Sequence, residues 1–190
     1  MKPTDEADII VEHALESDRN LRIASKIGLA FPKLKQVIVG DFVKVLISGL
    51  RERLGSSWIL DDEWTQTPLA KGSYVSAKKA IWAEKSSIGL HCDKVGPGDL
   101  SFFVWVEPDY IKGTTIATEL KAALDERYAP GRKEPRYPWW RYVDAPYGHW
   151  TNEDVLIALR QKTEALELFL NHLTTISTIS EPFLDQLAKR

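Results

Sequence analysis

The spacing of hydrophobic residues changes along the chain, from a helical period to strand-like alternation. Before Gly55, apolar side chains recur every three or four residues, first over 5–16 and then up to Leu54, which is the period of amphipathic helices. After Gly55, short runs alternate apolar and polar residues and are separated by Gly and Pro, as in antiparallel strands. The pattern predicts a helical region over 1–54 and an α+β region over 55–190, as two domains or as one continuous domain.

Two strands of the second region are predicted most clearly, 87–92 and 100–107. A loop rich in Gly and Pro joins them as a hairpin. In the later strand Phe102 and Val104 fall on one face, whereas Phe103 falls on the other. Apolar residues on both faces are typical of a central strand that is covered on both sides. Shorter strands are predicted at 58–60, 74–77 and 80–82.

Helices are predicted around and after these strands. The first covers 113–128 and is followed by an Ala-Pro-Gly sequence that ends it. The second begins after the sequence 151–154, which resembles a capping box, and continues to Leu173. The polar and β-branched run 174–180 predicts a break, so that 181–189 would form a short terminal helix.

Residues 137–150 contain three Trp, three Tyr and one His. If the start of this stretch is a strand, Trp139 points to the opposite side from Trp140. Trp139 would then fill the core, and the other face would be available to a partner, since Trp, Tyr and Arg are enriched in interface hot spots and aromatic rings stack on single-stranded bases. The alternative is purely structural, with Trp139 and Tyr142 filling the core. The predicted partner-binding residues are Arg136, Tyr137, Trp140, Arg141 and Tyr147.

Charge is distributed unevenly near the N-terminus, although the whole chain has a net charge of only −2. Residues 1–20 contain six acidic and two basic residues, a net charge of −4. Residues 21–55 contain seven basic and two acidic residues, a net charge of +5. This asymmetry is compatible with two helices that pair with each other.

The composition is that of a soluble protein. The single cysteine, Cys92, excludes an internal disulfide and favours a reducing compartment. The N-terminal residues lack the pattern of a signal peptide, and no apolar run approaches the about 20 residues of a membrane helix. The sequence pI of about 6.1 argues against a general polyanion binder. We therefore predict a cytoplasmic protein with no membrane association.

Residues 23–38 resemble the helix-turn-helix of bacterial and phage regulators. Ala24 would let two helices approach, Gly28 would form the turn, and Pro32 would lie in the first turn of the second helix. The resemblance implies binding to duplex DNA through the start of that second helix. The alternative is an amphipathic helical pair with a solvated basic face, whose second helix continues towards Leu54 and serves packing. The residues that would contact DNA are Lys33, Lys35 and Gln36.

The order of aromatic residues and helices over about 40–173 resembles the accessory C-terminal domain of some bacterial and phage PD-(D/E)XK-nuclease-type proteins. The resemblance is carried by Trp58, the paired central strands, the helix around Leu120, and the sequence from Trp139 to Trp150 before a long helix. It implies a non-catalytic module that works beside nucleic-acid-processing machinery. It includes no catalytic motif of the nuclease itself.

Catalytic motifs are weak. Asp109, Glu119 and Lys121 spell a nuclease-like PD…ExK string, but Glu119 and Lys121 are predicted on one helix, where residues two apart point about 200° apart. The four histidines show no zinc spacing, and the sequence contains no phosphate-binding loop and no nucleophile elbow. A site assembled from distant residues stays open. The pattern favours a protein that is not an enzyme, with no metal and no cofactor.

The sequence thus predicts an α+β protein of phage or bacterial origin that binds rather than catalyses. Its partner would be a nucleoprotein or an immune effector, as for an anti-CRISPR-type inhibitor. The first alternative is a helix-turn-helix protein that binds duplex DNA through 23–38, and the second is a metal-dependent nuclease. The oligomeric state is left open.

Overall fold

The computed structural model describes residues 6–61, 63–65, 70–94, 98–150 and 152–190. The chain divides into two compact units, residues 1–37 and residues 38–190. Helix α2 belongs to both, because it crosses the boundary without interruption.

Six helices and six strands make up the described fold, together with 3₁₀ turns at Glu63–Thr65 and Ala80–Trp82. The strands form one antiparallel sheet in the order β1-β2-β3-β4-β6-β5. The predicted α+β class is confirmed. The helices are α1 (Glu6–Leu15), α2 (Asp18–Leu54), α3 (Pro108–Ile111), α4 (Ile116–Arg127), α5 (Glu153–Gln161) and α6 (Thr163–Ala188). The strands are β1 (Trp58–Asp61), β2 (Tyr74–Lys79), β3 (Ser86–Lys94), β4 (Gly98–Val106), β5 (Arg132–Glu134) and β6 (Tyr137–Tyr142).

The strand register separates two sets of side chains, one on each face of the sheet. On the first face Leu90 pairs with Val75 and Phe102, and all three are buried in the hydrophobic core. On the second face His91 pairs with Tyr74 and Ser101. Because successive residues of a strand point to opposite sides, this division continues along β4 and β6.

Helices cover the first face of the sheet. Phe169 of α6 lies 6.0 Å from Phe102 of β4 between ring centroids, and it also contacts Phe42 of α2 at 5.9 Å. Trp150 completes this cluster, edge-on to Phe42 at 5.1 Å and stacked on Trp64 at an angle of 12° between their planes. The second half of α2 and helix α6 are therefore held to the sheet by aromatic contacts.

The predicted turn at Gly28 is wrong, and with it the helix-turn-helix. Helix α2 continues from Asp18 to Leu54, with Pro32 inside it. Among the described residues, the glycines with positive φ are Gly55, Gly72 and Gly113, and Gly28 is not one of them. A single Gly costs a helix only about 1 kcal/mol, so it does not by itself create a turn. The predicted continuation to Leu54 is confirmed, but it belongs to a single helix that already begins at Asp18.

The predicted break at 174–180 is also wrong, because α6 is continuous through it and through Pro182. The helix predicted to continue to Leu173 is instead interrupted at Lys162, whose φ is +69° and which separates α5 from α6. Within the predicted break, Ile176 and Ser180 are fully buried. Packing of this small and apolar face outweighs the low helix propensity of β-branched residues.

Smaller differences concern the edges of elements. Residues 80–82 form a 3₁₀ turn instead of a strand, and β5 was not predicted. The N-cap of α5 is Asn152, whose side chain makes no capping hydrogen bond. Thr151, the first residue of the predicted capping box, lies outside the described residues.

The first unit consists of α1 and the start of α2, joined by a short turn. The Asn20 amide donates to the His13 carbonyl oxygen at 3.0 Å across this turn. Helix α1 has no buried residue. Among the described residues of the whole chain, no helix is long and apolar enough to span a bilayer.

Candidate functional site: the second face of the sheet

Strand β6 places its two tryptophans on opposite sides of the sheet, as predicted. Trp139 is fully buried in the core, and its indole Nε1 donates to Asp125 Oδ1 of α4 at 3.1 Å. The Asp125 carboxylate also accepts from the Gly131 backbone N–H at 2.8 Å and pairs with Lys121. Trp140 lies on the other side and is half-buried. The core role of Trp139 is thereby confirmed, whereas the core role of Tyr142 is wrong, because its side chain is 41% exposed.

Two adjoining grooves lie on the second face of the sheet, which we call the open face. The larger has a volume of about 410 Å³ and the smaller about 310 Å³. His91, Phe103 and Tyr137 line both grooves, so the two form one continuous depression. Every described lining residue belongs to a strand or to a connection between elements, and none belongs to an α-helix. The further aromatic lining residues are Tyr74, Trp105, Trp140 and Tyr142.

Gly89 allows the Phe103 ring to lie against the strands at the floor of this depression. A Cβ at Gly89 would lie 2.8 Å from Phe103 Cζ and would overlap the Val75 carbonyl oxygen. The ring is held in place by edge contacts with Tyr137 at 5.9 Å and His91 at 6.4 Å between centroids. The floor is therefore an aromatic surface whose central ring is packed against its neighbours.

The Trp140 ring packs against a neighbouring arginine of strand β5. The guanidinium of Arg132 lies 5.1 Å from the Trp140 ring and 5.3 Å from the Tyr142 ring, and the two rings meet edge to face at 5.2 Å. The Trp140 Nε1–H has no hydrogen-bond acceptor among the described residues. Cation–π and aromatic contacts of this kind hold the Trp140 ring in place on the open face.

The polar residues of the open face are held in pairs. The Tyr74 hydroxyl donates to Asp61 Oδ2 at 3.2 Å, and burial together with Asp61 and Glu63 raises the pKa of Tyr74 to about 12. His91 Nδ1 lies 3.0 Å from Asp93 Oδ1. Tyr74 therefore keeps its proton at neutral pH and acts as a hydrogen-bond donor.

The charge on the open face is predominantly negative. Among the described residues, the grooves are lined by Asp61, Glu84, Asp93 and Glu134 and by one lysine, Lys78, which is paired with Glu84. With His91 neutral the lining residues carry a net charge of −3, or −2 when the adjacent Arg132 is included. Burial, Asp93 and Glu134 also raise the pKa of the Tyr137 hydroxyl.

Ser101, His91 and Asp93 of the open face do not form the hydrogen-bonded arrangement of a serine hydrolase. Ser101 is paired with His91 across β3 and β4 and lines the same groove as Asp93. No hydrogen bond joins the Ser101 hydroxyl to His91 in the described part of the chain, whereas an activated serine needs its base within hydrogen-bond reach. The residues 6–61, 63–65, 70–94, 98–150 and 152–190 also include no group of three His, Cys, Asp or Glu that could hold a metal ion.

The five predicted partner-binding residues do not form one surface. Tyr137 and Trp140 line the open face, and Arg136 is exposed in the turn between β5 and β6. Arg141 lies on the opposite side of β6, where it pairs with Asp144 at 2.7 Å and its guanidinium lies 5.9 Å from the Tyr128 ring. Tyr147 packs edge-on against Phe169 of the core at 6.0 Å. Arg141 and Tyr147 were therefore placed wrongly on the surface shared with Trp140.

The other predicted residues lie on helices. Lys33 and Gln36 are exposed on the continuous helix α2 and hydrogen bond to each other at 3.4 Å, and the Lys35 ammonium lies 4.7 Å from the Phe31 ring. Glu119 and Lys121 are both on α4, as predicted. Glu119 accepts from the Thr115 hydroxyl at 2.6 Å, and Lys121 pairs with Asp125.

Comparison with known proteins finds no match to this chain. No family model matches it, and neither a curated protein nor a solved structure is similar to it. The resemblance to the accessory domain of PD-(D/E)XK-nuclease-type proteins accordingly stays a prediction.

Proposed function

We propose that this chain is a non-catalytic binding protein, and that its open face accepts an exposed segment of a partner protein rich in Lys or Arg. The observation that carries the proposal is the continuous depression, which combines an aromatic floor with an excess of carboxylates. Aromatic rings supply contact area at a low cost in conformational entropy, and the carboxylates select a cationic partner.

Nucleic acid fits this face less well than a basic protein segment does. Surfaces that bind single strands combine stacking rings with a positively charged groove, because affinity comes largely from phosphate contacts. Here the groove has a net charge of −3, and the adjacent Arg132 lies against Trp140 and Tyr142. A phosphate backbone would be repelled by Asp61, Asp93 and Glu134.

Basic segments are common in nucleoproteins, which use Lys and Arg to hold the phosphate backbone. The proposed partner is therefore a nucleoprotein or an immune effector, and the proposed role is that of a binding protein such as an anti-CRISPR-type inhibitor in a phage or bacterial setting. The setting is supported by the resemblance to accessory domains in the sequence. The proposed location is the cytoplasm, where the buried thiol of Cys92 stays reduced.

The pairing of polar groups supports binding over catalysis. Tyr74, Lys78 and His91 are each engaged with a neighbouring carboxylate. The pKa of Tyr74 is raised to about 12, which makes its hydroxyl a poor general base at neutral pH. These contacts hold the carboxylates of the open face in position for a cationic partner.

A peptide array tests the proposal. Extended peptides that alternate Arg or Lys with apolar residues are compared with matched peptides in which Glu replaces the basic residue, and with oligothymidylate and duplex DNA. We expect the basic peptides to bind. The variant Trp140→Ala should then weaken binding by about 2 kcal/mol or more, and Ile157→Ala, which removes an exposed apolar side chain from α5, should have no effect.

The proposal fails if either DNA probe binds more tightly than every basic peptide. It also fails if the acidic peptides bind as well as the basic ones, or if Ile157→Ala weakens binding as much as Trp140→Ala does.

A further inference from the structure

The first unit, residues 1–37, exposes an unusual amount of apolar surface. Fifteen large hydrophobic side chains are exposed in the described part of the chain, and eleven of them lie between Ile9 and Val37. They include Leu29 at 80% exposed, Leu15 at 70% and Ile10 at 65%. Soluble monomers rarely expose contiguous apolar patches of more than a few hundred Å². This surface therefore indicates an interface.

Part of the apolar surface forms one stripe along α2. The residues of this stripe, which we call the α2 stripe, are Ile23, Ile27, Ala30, Leu34 and Val37, all exposed. They are separated by four, three, four and three residues, which is the repeat that packs two helices side by side. At 3.6 residues per turn they fall within an arc of about 80°. Leu29 lies outside this arc.

Helix α1 has a second apolar surface, and it is bordered by acidic residues. Ile10 and Val11 are 65% and 56% exposed, and Ala14 lies one turn further on. Asp8 and Glu12 are on one side of these residues, one turn apart. Within one chain α1 buries none of its residues, so its apolar side chains are not covered by folding back on α2.

The charges of the two helical segments are equal and opposite. The described residues 6–20 contain five acidic residues and one basic residue, a net charge of −4. Residues 21–37 contain four basic residues and no acidic residue, a net charge of +4. Lys26 and Lys33 lie beside the α2 stripe, so two copies of this stripe facing each other would bring like charges together. An acidic helix beside the stripe would bring opposite charges together.

We propose that the first unit is a dimerisation element whose occupant is a second copy of this chain. Helix α1 of each copy packs along the α2 stripe of the other, so that the acidic segment 6–20 lies beside the basic segment 21–37. A two-fold axis satisfies both contacts at once, because in such an interface each patch meets its complement on the partner. The apolar stripes supply the buried surface, and the charges set the pairing of α1 with α2.

Sedimentation equilibrium of the full chain tests the dimer over a wide range of concentrations. We expect a concentration-dependent dimer whose Kd rises about tenfold or more for Ile27→Lys, since full burial of a side chain of this size is worth roughly ten- to hundredfold in affinity. The matched control is Leu29→Lys, which places the same charge on the same helix outside the α2 stripe and should leave the Kd within about threefold of wild type.

Charge reversal tests which helices meet. The double variant Lys26→Glu with Lys33→Glu should weaken the dimer, and adding Asp8→Lys with Glu12→Lys should restore it. All seven tryptophans lie beyond residue 37, so their fluorescence during thermal unfolding reports on the second unit alone and should be unchanged in every variant. These exposed charges are outside any core, so the variants remain informative about pairing.

Three results would overturn the proposal. The first is a wild-type chain that remains a monomer at the highest concentration. The second is an equal loss of dimer in Leu29→Lys and Ile27→Lys, which would exclude the α2 stripe. The third is a failure of the fourfold charge reversal to restore the dimer, which would exclude the pairing of α1 with α2.

Discussion

Replacing each of the two adjacent tryptophans of β6 by alanine should separate folding from binding. Trp139 is fully buried, and its ring fills the space in front of Gly131. Removal of a buried aromatic side chain leaves a cavity and costs about 3–5 kcal/mol. The loss of the indole N–H also leaves the Asp125 carboxylate with one donor fewer. Trp139→Ala should therefore destabilise the second unit severely.

Trp140→Ala should cost much less. The half-buried ring loses its cation–π contact with Arg132, worth about 0.5–1 kcal/mol at an exposed site, and its edge contact with Tyr142, worth about 0.5–1.5 kcal/mol. The expected destabilisation is about 1–2.5 kcal/mol. The difference between the two variants follows from which side of the sheet each ring occupies.

Thermal unfolding followed by far-UV circular dichroism measures both variants under the same conditions. A change of 1 kcal/mol shifts the Tm of a domain of this size by about 2–4 °C. Trp139→Ala should lower the Tm by about 6–20 °C and Trp140→Ala by about 2–10 °C. Equal losses of stability in the two variants would refute the reasoning, because the open face would then be part of the core.

Three further predictions concern other parts of the second unit. Gly89→Ala should destabilise the protein by about 1–3 kcal/mol in urea unfolding, because the new Cβ would overlap the Val75 carbonyl oxygen; unchanged stability would contradict the close packing of the aromatic floor. Burial would raise the pKa of Asp125, but hydrogen bonds, first among them that of Lys121, lower it below its ordinary value. The ionised Asp125 carboxylate therefore stabilises the folded state fully above about pH 4, and this stabilisation is lost as the pH falls through the lowered pKa of Asp125 in the folded protein. The free energy of unfolding of Asp125→Asn should accordingly fall less than that of wild type between pH 7 and acidic pH. An equal fall in the two proteins would contradict a stabilising role of the ionised Asp125. Wild type and Glu119→Ala should both fail to cleave DNA with Mg²⁺ or Mn²⁺, and cleavage that disappears in the variant would contradict the proposal of a non-catalytic protein.

Strand alternation allowed the two faces of β6 to be predicted from the sequence. The hairpin of β3 and β4 was predicted from different evidence, namely two runs rich in apolar residues with a Gly- and Pro-rich sequence between them. The open face was not recognised. Phe103 and Trp105 are apolar, and the pattern alone assigned them to a covered face. Exposure of a strand face depends on where distant helices pack, which local alternation does not encode.

Helix continuity was the weakest part of the prediction. Gly28 and Pro32 suggested a turn, and the run 174–180 suggested a break, yet both lie inside long helices. Local propensities of this size are outweighed by packing, as at the buried Ile176. The placement of Arg141 and Tyr147 beside Trp140 failed for two different reasons. Alternation within β6 puts Arg141 on the side of Trp139, opposite Trp140. Tyr147 lies beyond the end of β6, where the alternation no longer applies, and it packs against Phe169 of α6.

The two-dimensional ¹H–¹⁵N spectrum of the tryptophan indoles tests the open face most directly. The indoles of Trp105 and Trp140 line the depression, whereas those of Trp82 and Trp139 donate to Asp185 and Asp125 away from it. The probe is the basic peptide that binds most tightly in the array.

Addition of the peptide should shift the signals of Trp105 and Trp140 and leave those of Trp82 and Trp139 in place. Saturable binding that leaves the Trp105 and Trp140 signals unmoved would contradict the assignment of the open face as the binding site.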